Sequence, residues 1–290
     1  MQTITAELVV DARADLGEGP AWDAVAGRLI WVDITGSAVH ELLPDGRSRR
    51  WDVPEHVGAA VPRARGGLLL AMRSGFAALA DDGSVRVVAS VEADDAGIRM
   101  NDGKCDPLGR FWAGTMADAE TPGAGSLYRL DTDGTVRRVL TGVTISNGLG
   151  WSPDGTVMYY TDTATGGVDS FRFDAAAGAL TDRRRVITID PADGSPDGMT
   201  VDDDGCVWVA LWGGGAVRRY ATDGSLDAVV PLPASQVTSC AFGGPDGGDL
   251  YITTAAHGLS PQQRSTQPQA GGVFLCRPGV TGPPATPFAG

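Results

Sequence analysis

Short runs of β-prone residues, some apolar throughout and some alternating, recur along the whole chain. Examples are RLIWVD at 28–33, LLLAM at 68–72 and VMYYTD at 157–162, each bounded by clusters of Gly, Asp and Pro. This is the pattern of strands joined by tight turns, and no 3.6-residue periodicity extends beyond a turn or two. The turn signals are of two kinds. Asp82-Gly83, Asp133-Gly134, Asp154-Gly155, Asp204-Gly205 and Asp223-Gly224 each lie between two strands and read as hairpin turns. The SNG of residues 146–148 instead precedes a strand, so Asn147 is placed at a strand mouth, where an amide packs poorly.

Aligning the chain on itself explains that placement. Six copies of one pattern appear: a small residue, an apolar strand, a polar turn and a second strand. They begin at Gly19, Gly58, Gly103, Gly148, Gly198 and Ser239, with further strand pairs between them. Four strands in every roughly 40–50 residues is the signature of a β-propeller blade. The sequence therefore predicts an all-β fold, a six-bladed β-propeller with four strands per blade, forming one domain over residues 1–290. The last blade has GGVFLCRPG as its third strand and then runs into VTGPPATPFAG, a poor strand. Residues Thr3 to Val10 form a strand without a blade of its own, so this N-terminal strand is expected to close the last blade.

In a propeller the innermost strands line a central channel, and the residue before each of them lies at the channel rim. Those residues are Glu18, Val57, Asp102, Asn147, Asp197 and Thr238. Four of the six carry carboxylate or amide oxygens. Carboxylates converging on one axis are unfavourable unless a cation compensates them. Oxygen donors without His or Cys suit a hard divalent ion such as Ca²⁺, Mg²⁺ or Mn²⁺.

Composition narrows the function classes. The 41 glycines and 18 prolines leave little room for long helices, and 42% hydrophobic residues suffice for a substantial core. A net charge of −13 disfavours binding to a phosphate backbone, and Arg183 to Arg185 reads as a solvated strand edge. There is no run of about 18 apolar residues and no secretion signal, so the expectation is a cytoplasmic protein with no membrane and no nucleic-acid partner. The four cysteines lack CxxC spacing and read as reduced, buried thiols. No GxSxG elbow is present, and the three histidines, His40, His56 and His257, form no sequence-level triad. His257 is expected near the rim on the last blade's first loop. No GxGxxG opens a helix, which argues against nucleotide cofactors.

The stretches LGEGPAWD (16–23), RMNDGKCDPLGRFWAGTM (99–116), SNGLGWSPDGTVMYYTDT (146–163), SPDGMTVDDDGCVWVALWGGG (195–215) and QPQAGGVF (267–274) resemble the gluconolactonase family, which includes regucalcin and the luciferin-regenerating enzyme. The resemblance implies a six-bladed propeller, in agreement with the repeat count. It also implies one divalent metal cation (Ca, Mn, Mg, Zn or Fe) held by Glu18, Asn147 and Asp197. It places substrate-binding residues at Arg99 and Asn101, whereas the repeat register selects the neighbouring Asp102. A further acidic substrate contact is implied just after GTMA, where Asp118 and Glu120 flank the expected position; Glu120 is taken here as the substrate residue.

The activity so implied is lactonase chemistry: hydrolysis of sugar-derived lactones, such as gluconolactone or a pentonolactone, to sugar acids. Three protein oxygens leave coordination positions open for water and substrate. Asp197 could act both as ligand and as acceptor of the attacking water's proton. With Val57 and Thr238 at the rim, the mouth is expected to be a shallow cup holding one polyhydroxylated ring, in a monomer or weak oligomer. Two alternatives stay open. One is a non-catalytic calcium-binding or scaffold propeller, and the other a metal-dependent hydrolase of other lactones or organophosphates.

Overall fold

The computed structural model describes all 290 residues, and its strands assemble into six antiparallel blades arranged as a ring. Blade 1 comprises Gly17–Asp23, Arg28–Asp33, Ala38–Leu42 and Ser48–Asp52, from the channel outwards. Blades 2 to 5 repeat that order and begin with the inner strands Val57–Pro62, Ile98–Cys105, Ser146–Trp151 and Ser195–Val201. Blade 6 comprises Val237–Gly243, Asp249–Thr254 and Val273–Cys276, and its outermost strand is Glu7–Val10. The first and last parts of the chain thus share one blade, as the sequence predicts. Gln2–Thr3 adds a detail the pattern does not contain: it pairs parallel with Leu226–Pro231 and gives blade 5 a fifth strand.

In blades 2, 4 and 5 the small residue of the inner strand has a steric cause between blades. A Cβ on Gly58 would overlap the carbonyl oxygen of Asn101 in the next blade, and one on Gly148 would come within 2.6 Å of the carbonyl of Asp197. Side chains there would push neighbouring blades apart at the axis. Every inner strand also shifts register against its neighbour at this point, for example between Ser146 and Leu149 and between Pro196 and Met199. These bulges turn residues out of the ladder toward the channel mouth.

Apolar faces of adjacent blades fill the spaces between them, including Trp112 edge-on to Trp151 and Phe173, and Trp208 edge-on to Phe242. The turns are tied to this core. Asp106 accepts the indole N–H of Trp112 (2.9 Å) and Arg110 Nε (2.6 Å), and Asp202 accepts from Trp208 (2.9 Å) and Arg219 (2.8 Å). The D-x-x-G-x-x-W spacing of these stretches is therefore structural. All four cysteines are free and buried. The one α-helix, Pro261–Thr266, is six residues long and carries a capping box from Ser260 and Gln263. No helix is long and apolar enough to cross a membrane.

Candidate functional site

Aspartates at the ends of second strands fix the backbone that leads into the channel mouth. Asp33 accepts the N–H groups of Asp15 (3.1 Å) and Leu16 (3.0 Å), two residues ahead of Glu18. Asp162 does the same for Thr144 and Ile145 (3.0 Å each), two residues ahead of Asn147. The residues that follow enter a cavity of about 550 Å³ at this end of the channel, within the range of small-molecule sites.

The sequence-predicted residues Glu18, Arg99, Asn101, Glu120, Asn147 and Asp197 all line this one cavity. Asp102 does not. It lines a separate cavity of about 290 Å³ that opens on the opposite side of the channel. The cause lies in the bulges. Asn101, Asn147 and Asp197 each hold the first position of the two unpaired residues, and Asp102 holds the second, where blades 4 and 5 have Gly148 and Gly198. Aligning on glycine therefore shifts blade 3 by one residue. Glu18 is still paired with Val32, one place earlier, and its longer side chain reaches the cavity from there.

Val57 and Thr238 are fully buried and take no part in the cavity wall, contrary to the shallow cup expected from them. Thr238 instead donates its hydroxyl to Gly17 O (2.6 Å), joining blades 6 and 1. The apolar part of the wall comes from Leu16, Met116, Ile145 and Trp212.

Glu18 and Asp197 are each 5% exposed, and neither forms an ion pair. One Glu18 oxygen accepts from Gly19 N–H at 2.9 Å. Burial, reinforced by the charges of Asp197 and Asp102, pushes the Glu18 carboxyl well above the usual carboxylate range. Burial and the charge of Asp102 do the same to Asp197. Asn147 donates from Nδ2 to Thr163 Oγ1 (3.0 Å), which leaves its Oδ1 for another partner. That Oδ1 and Asp197 Oδ1 are buried and have no hydrogen-bond partner. Such orphaned acceptors are costly in a folded protein. No three His, Cys, Asp or Glu side chains come together as a ready-made metal set, so a cation here would take two carboxylates and an amide oxygen.

The opposite wall is preorganised for hydrogen bonding. Arg99 is 11% exposed and donates to Asn101 Oδ1 (2.7 Å), while Asn101 Nδ2 donates to Ser146 O (2.8 Å). Asp118 is held by Arg73 through two bonds (2.8 and 3.2 Å) and lies 3.6 Å from Arg99. Glu120, at a backbone φ of 52°, is exposed at the rim. Sequence reasoning left His257 without a role and did not find its partner: His257 lines the cavity, and its Nδ1 lies 2.7 Å from Asp15.

Comparisons with known proteins agree with this architecture. Residues 16–256 match the family described as SMP-30/Gluconolactonase/LRE-like region. The protein YvrE of Bacillus subtilis, named provisionally as a sugar lactone lactonase, is 39% identical over 98% of this chain and 99% of its own. Regucalcin of Xenopus laevis is 39% identical over the whole of both chains. Among solved structures, a calcium-binding regucalcin from Agrobacterium tumefaciens superposes with a TM-score of 0.94 at 32% identity, covering 99% of each chain. A luciferin-regenerating enzyme superposes at 0.92, also at 32% identity, over 98% of this chain and 99% of its own. With that extent of matching, the chain belongs to the SMP-30/gluconolactonase/LRE-like family.

Proposed function

We propose that this protein is a divalent-metal-dependent hydrolase that opens sugar-derived lactones to sugar acids. The observation that carries the proposal is the pair of orphaned buried oxygens, Asn147 Oδ1 and Asp197 Oδ1, beside the equally buried Glu18. Two carboxylates pushed toward protonation and an amide oxygen with nothing to accept from are what a cation would satisfy. Glu18, Asn147 and Asp197 would hold it, and an all-oxygen donor set suits a hard ion. When bound, the cation would polarise the lactone carbonyl and offset the negative charge that develops on it.

The chain's own residues do the rest. Asp197 accepts a proton from the attacking water on its carboxylate, which lines the cavity. Arg99 and Asn101, locked together at 2.7 Å, present N–H donors toward the ring hydroxyls. Glu120, at the exposed rim, accepts from a hydroxyl at the outer edge of the ring. Leu16, Met116, Ile145 and Trp212 cover the ring's apolar faces and exclude bulk water. The names of the relatives support lactone chemistry and, in the Agrobacterium protein, calcium binding. That calcium-binding relative also supports a second reading, a propeller that binds the cation without turnover. A pH-drop assay against a panel of aldonolactones, with metal-stripped protein and each divalent ion added back, separates the two. Turnover restored by a hard ion is expected; binding of the ion with no turnover of any lactone would favour the second reading.

A further inference from the structure

His257 sits in the loop after Asp249–Thr254, against the segment that leads into blade 1. Ala256 N–H donates to Asp15 O (2.9 Å), and Leu16 forms a bridge with Ala255, so the two stretches run side by side. The Asp15 carboxylate is the centre of a small network. Its Oδ2 accepts from Thr35 Oγ1 (2.7 Å) and lies 2.7 Å from His257 Nδ1, and its Oδ1 is 3.5 Å from Arg264. Burial raises the Asp15 carboxyl, but the bonds from His257 and Thr35 outweigh it and hold the group below its ordinary range, so it stays a carboxylate. A carboxylate on Nδ1 fixes the ring orientation and leaves Nε2 as the nitrogen free to face a ligand. His257 Nε2 then has no protein partner, and the residue lines the same cavity as Glu18, Asn147 and Asp197.

Lactone opening needs two proton movements, and Asp197 accounts for only one. The departing ring oxygen would leave as a strongly basic alkoxide unless an acid meets it. We propose that His257, oriented by Asp15, is the general acid that protonates the ring oxygen as the acyl C–O bond breaks. The inference rests on the lactonase reading above. In the step, the water oxygen bonds to the carbonyl carbon and its proton passes to Asp197. The electron pair of the breaking C–O bond takes the proton from His257 Nε2 and becomes a hydroxyl. Solvent carries the Asp197 proton away and reprotonates His257, which restores the site.

The test uses His257→Gln, whose side-chain amide can still reach Asp15 but cannot act as the acid. kcat/KM is measured with the metal-loaded proteins on lactones whose leaving groups run from alkanols to a phenol. Loss of a general acid typically costs about 10²-fold or more, so the variant should fall by about that factor on alkanol lactones. It should fall at least about tenfold less on the phenol lactone, which leaves without protonation. Asp15→Asn should steepen the leaving-group dependence in the same sense, with metal affinity and Tm retained. An equal loss across the series, or no loss on the alkanol lactones, would overturn the assignment to His257. If the metal-loaded wild type opens none of the lactones, the lactonase reading itself fails; if it opens them all and the variant keeps the wild-type dependence, only the role of His257 fails.

Discussion

Replacing Asp197 by Asn removes one buried charge while keeping the size of the side chain, and it should move stability in opposite directions with and without metal. In the metal-free protein, Glu18 and Asp197 are carboxyl groups at 5% exposure with no ion pair; burial raises both, with the charges of Asp197 and Asp102 adding to it at Glu18 and that of Asp102 at Asp197. Both have folded-state pKa values raised above their unfolded ones. Their favourable contribution is therefore fully present at low pH and is lost as pH rises through the raised values. Metal-free wild type should accordingly lose Tm from mildly acidic toward neutral pH, and Asp197→Asn should flatten that slope and be the more stable protein at neutral pH. With metal the order reverses. A ligand at 100 times its Kd stabilises by about 2.7 kcal/mol. At an unfolding entropy of about 2.1 cal/mol/K per residue, a chain of this length converts that into about 4 °C of Tm. The assay is thermal unfolding of chelated and metal-saturated samples of both proteins across pH. A metal-free Asp197→Asn protein less stable than metal-free wild type, or a wild type whose Tm ignores every divalent ion, would refute the reasoning.

Arg99→Ala should reduce the preference for five- and six-carbon aldonolactones over unsubstituted or long-chain acyl lactones, because it removes the donors fixed on Asn101; kcat/KM on a pentonolactone, gluconolactone and an acyl-homoserine lactone reads the change. Asp202→Ala should cost about 1–3 kcal/mol in denaturant unfolding, since it leaves the buried indole N–H of Trp208 without its acceptor while Arg219 keeps Asp204 and Asp227. Asp154→Ala, in an exposed hairpin turn whose carboxylate only braces Ser152 and Thr156, should leave the denaturant midpoint close to wild type and turnover intact. Deleting residues 1–10 removes the outer strand of blade 6 and uncovers the edge of Val273–Cys276, so size-exclusion chromatography should show association of the truncated chain.

Much of the fold was legible because a small residue recurs at the start of each inner strand, where in blades 2, 4 and 5 a Cβ would run into the next blade. Six copies of one small residue before an apolar strand fixed the blade count, and the shared register brought Glu18, Asn147 and Asp197 to one cavity. The register misplaced blade 3, since it takes glycine as the marker and Asp102 occupies the bulge position that glycine holds in blades 4 and 5. The wall residues were less accessible still. Asp118 is held by an arginine 45 positions away in the preceding blade, and His257 meets Asp15 across 242 positions, where the ring joins its two ends. The first pairing joins two neighbouring blades and the second follows from ring closure, and neither leaves a periodic trace in the sequence.

On the proposed function, oxygens of Glu18, Asn147 and Asp197 at the channel mouth hold a cation that turnover requires. The most direct measurement is the rate of aldonolactone opening as a function of metal bound per chain, starting from stripped protein. The rate should rise in proportion to bound metal and break to a plateau at about one ion per chain, while Glu18→Gln, Asn147→Ala and Asp197→Asn stay near the stripped baseline. Full turnover by stripped protein, or wild-type rates in all three variants at saturating metal, would contradict it.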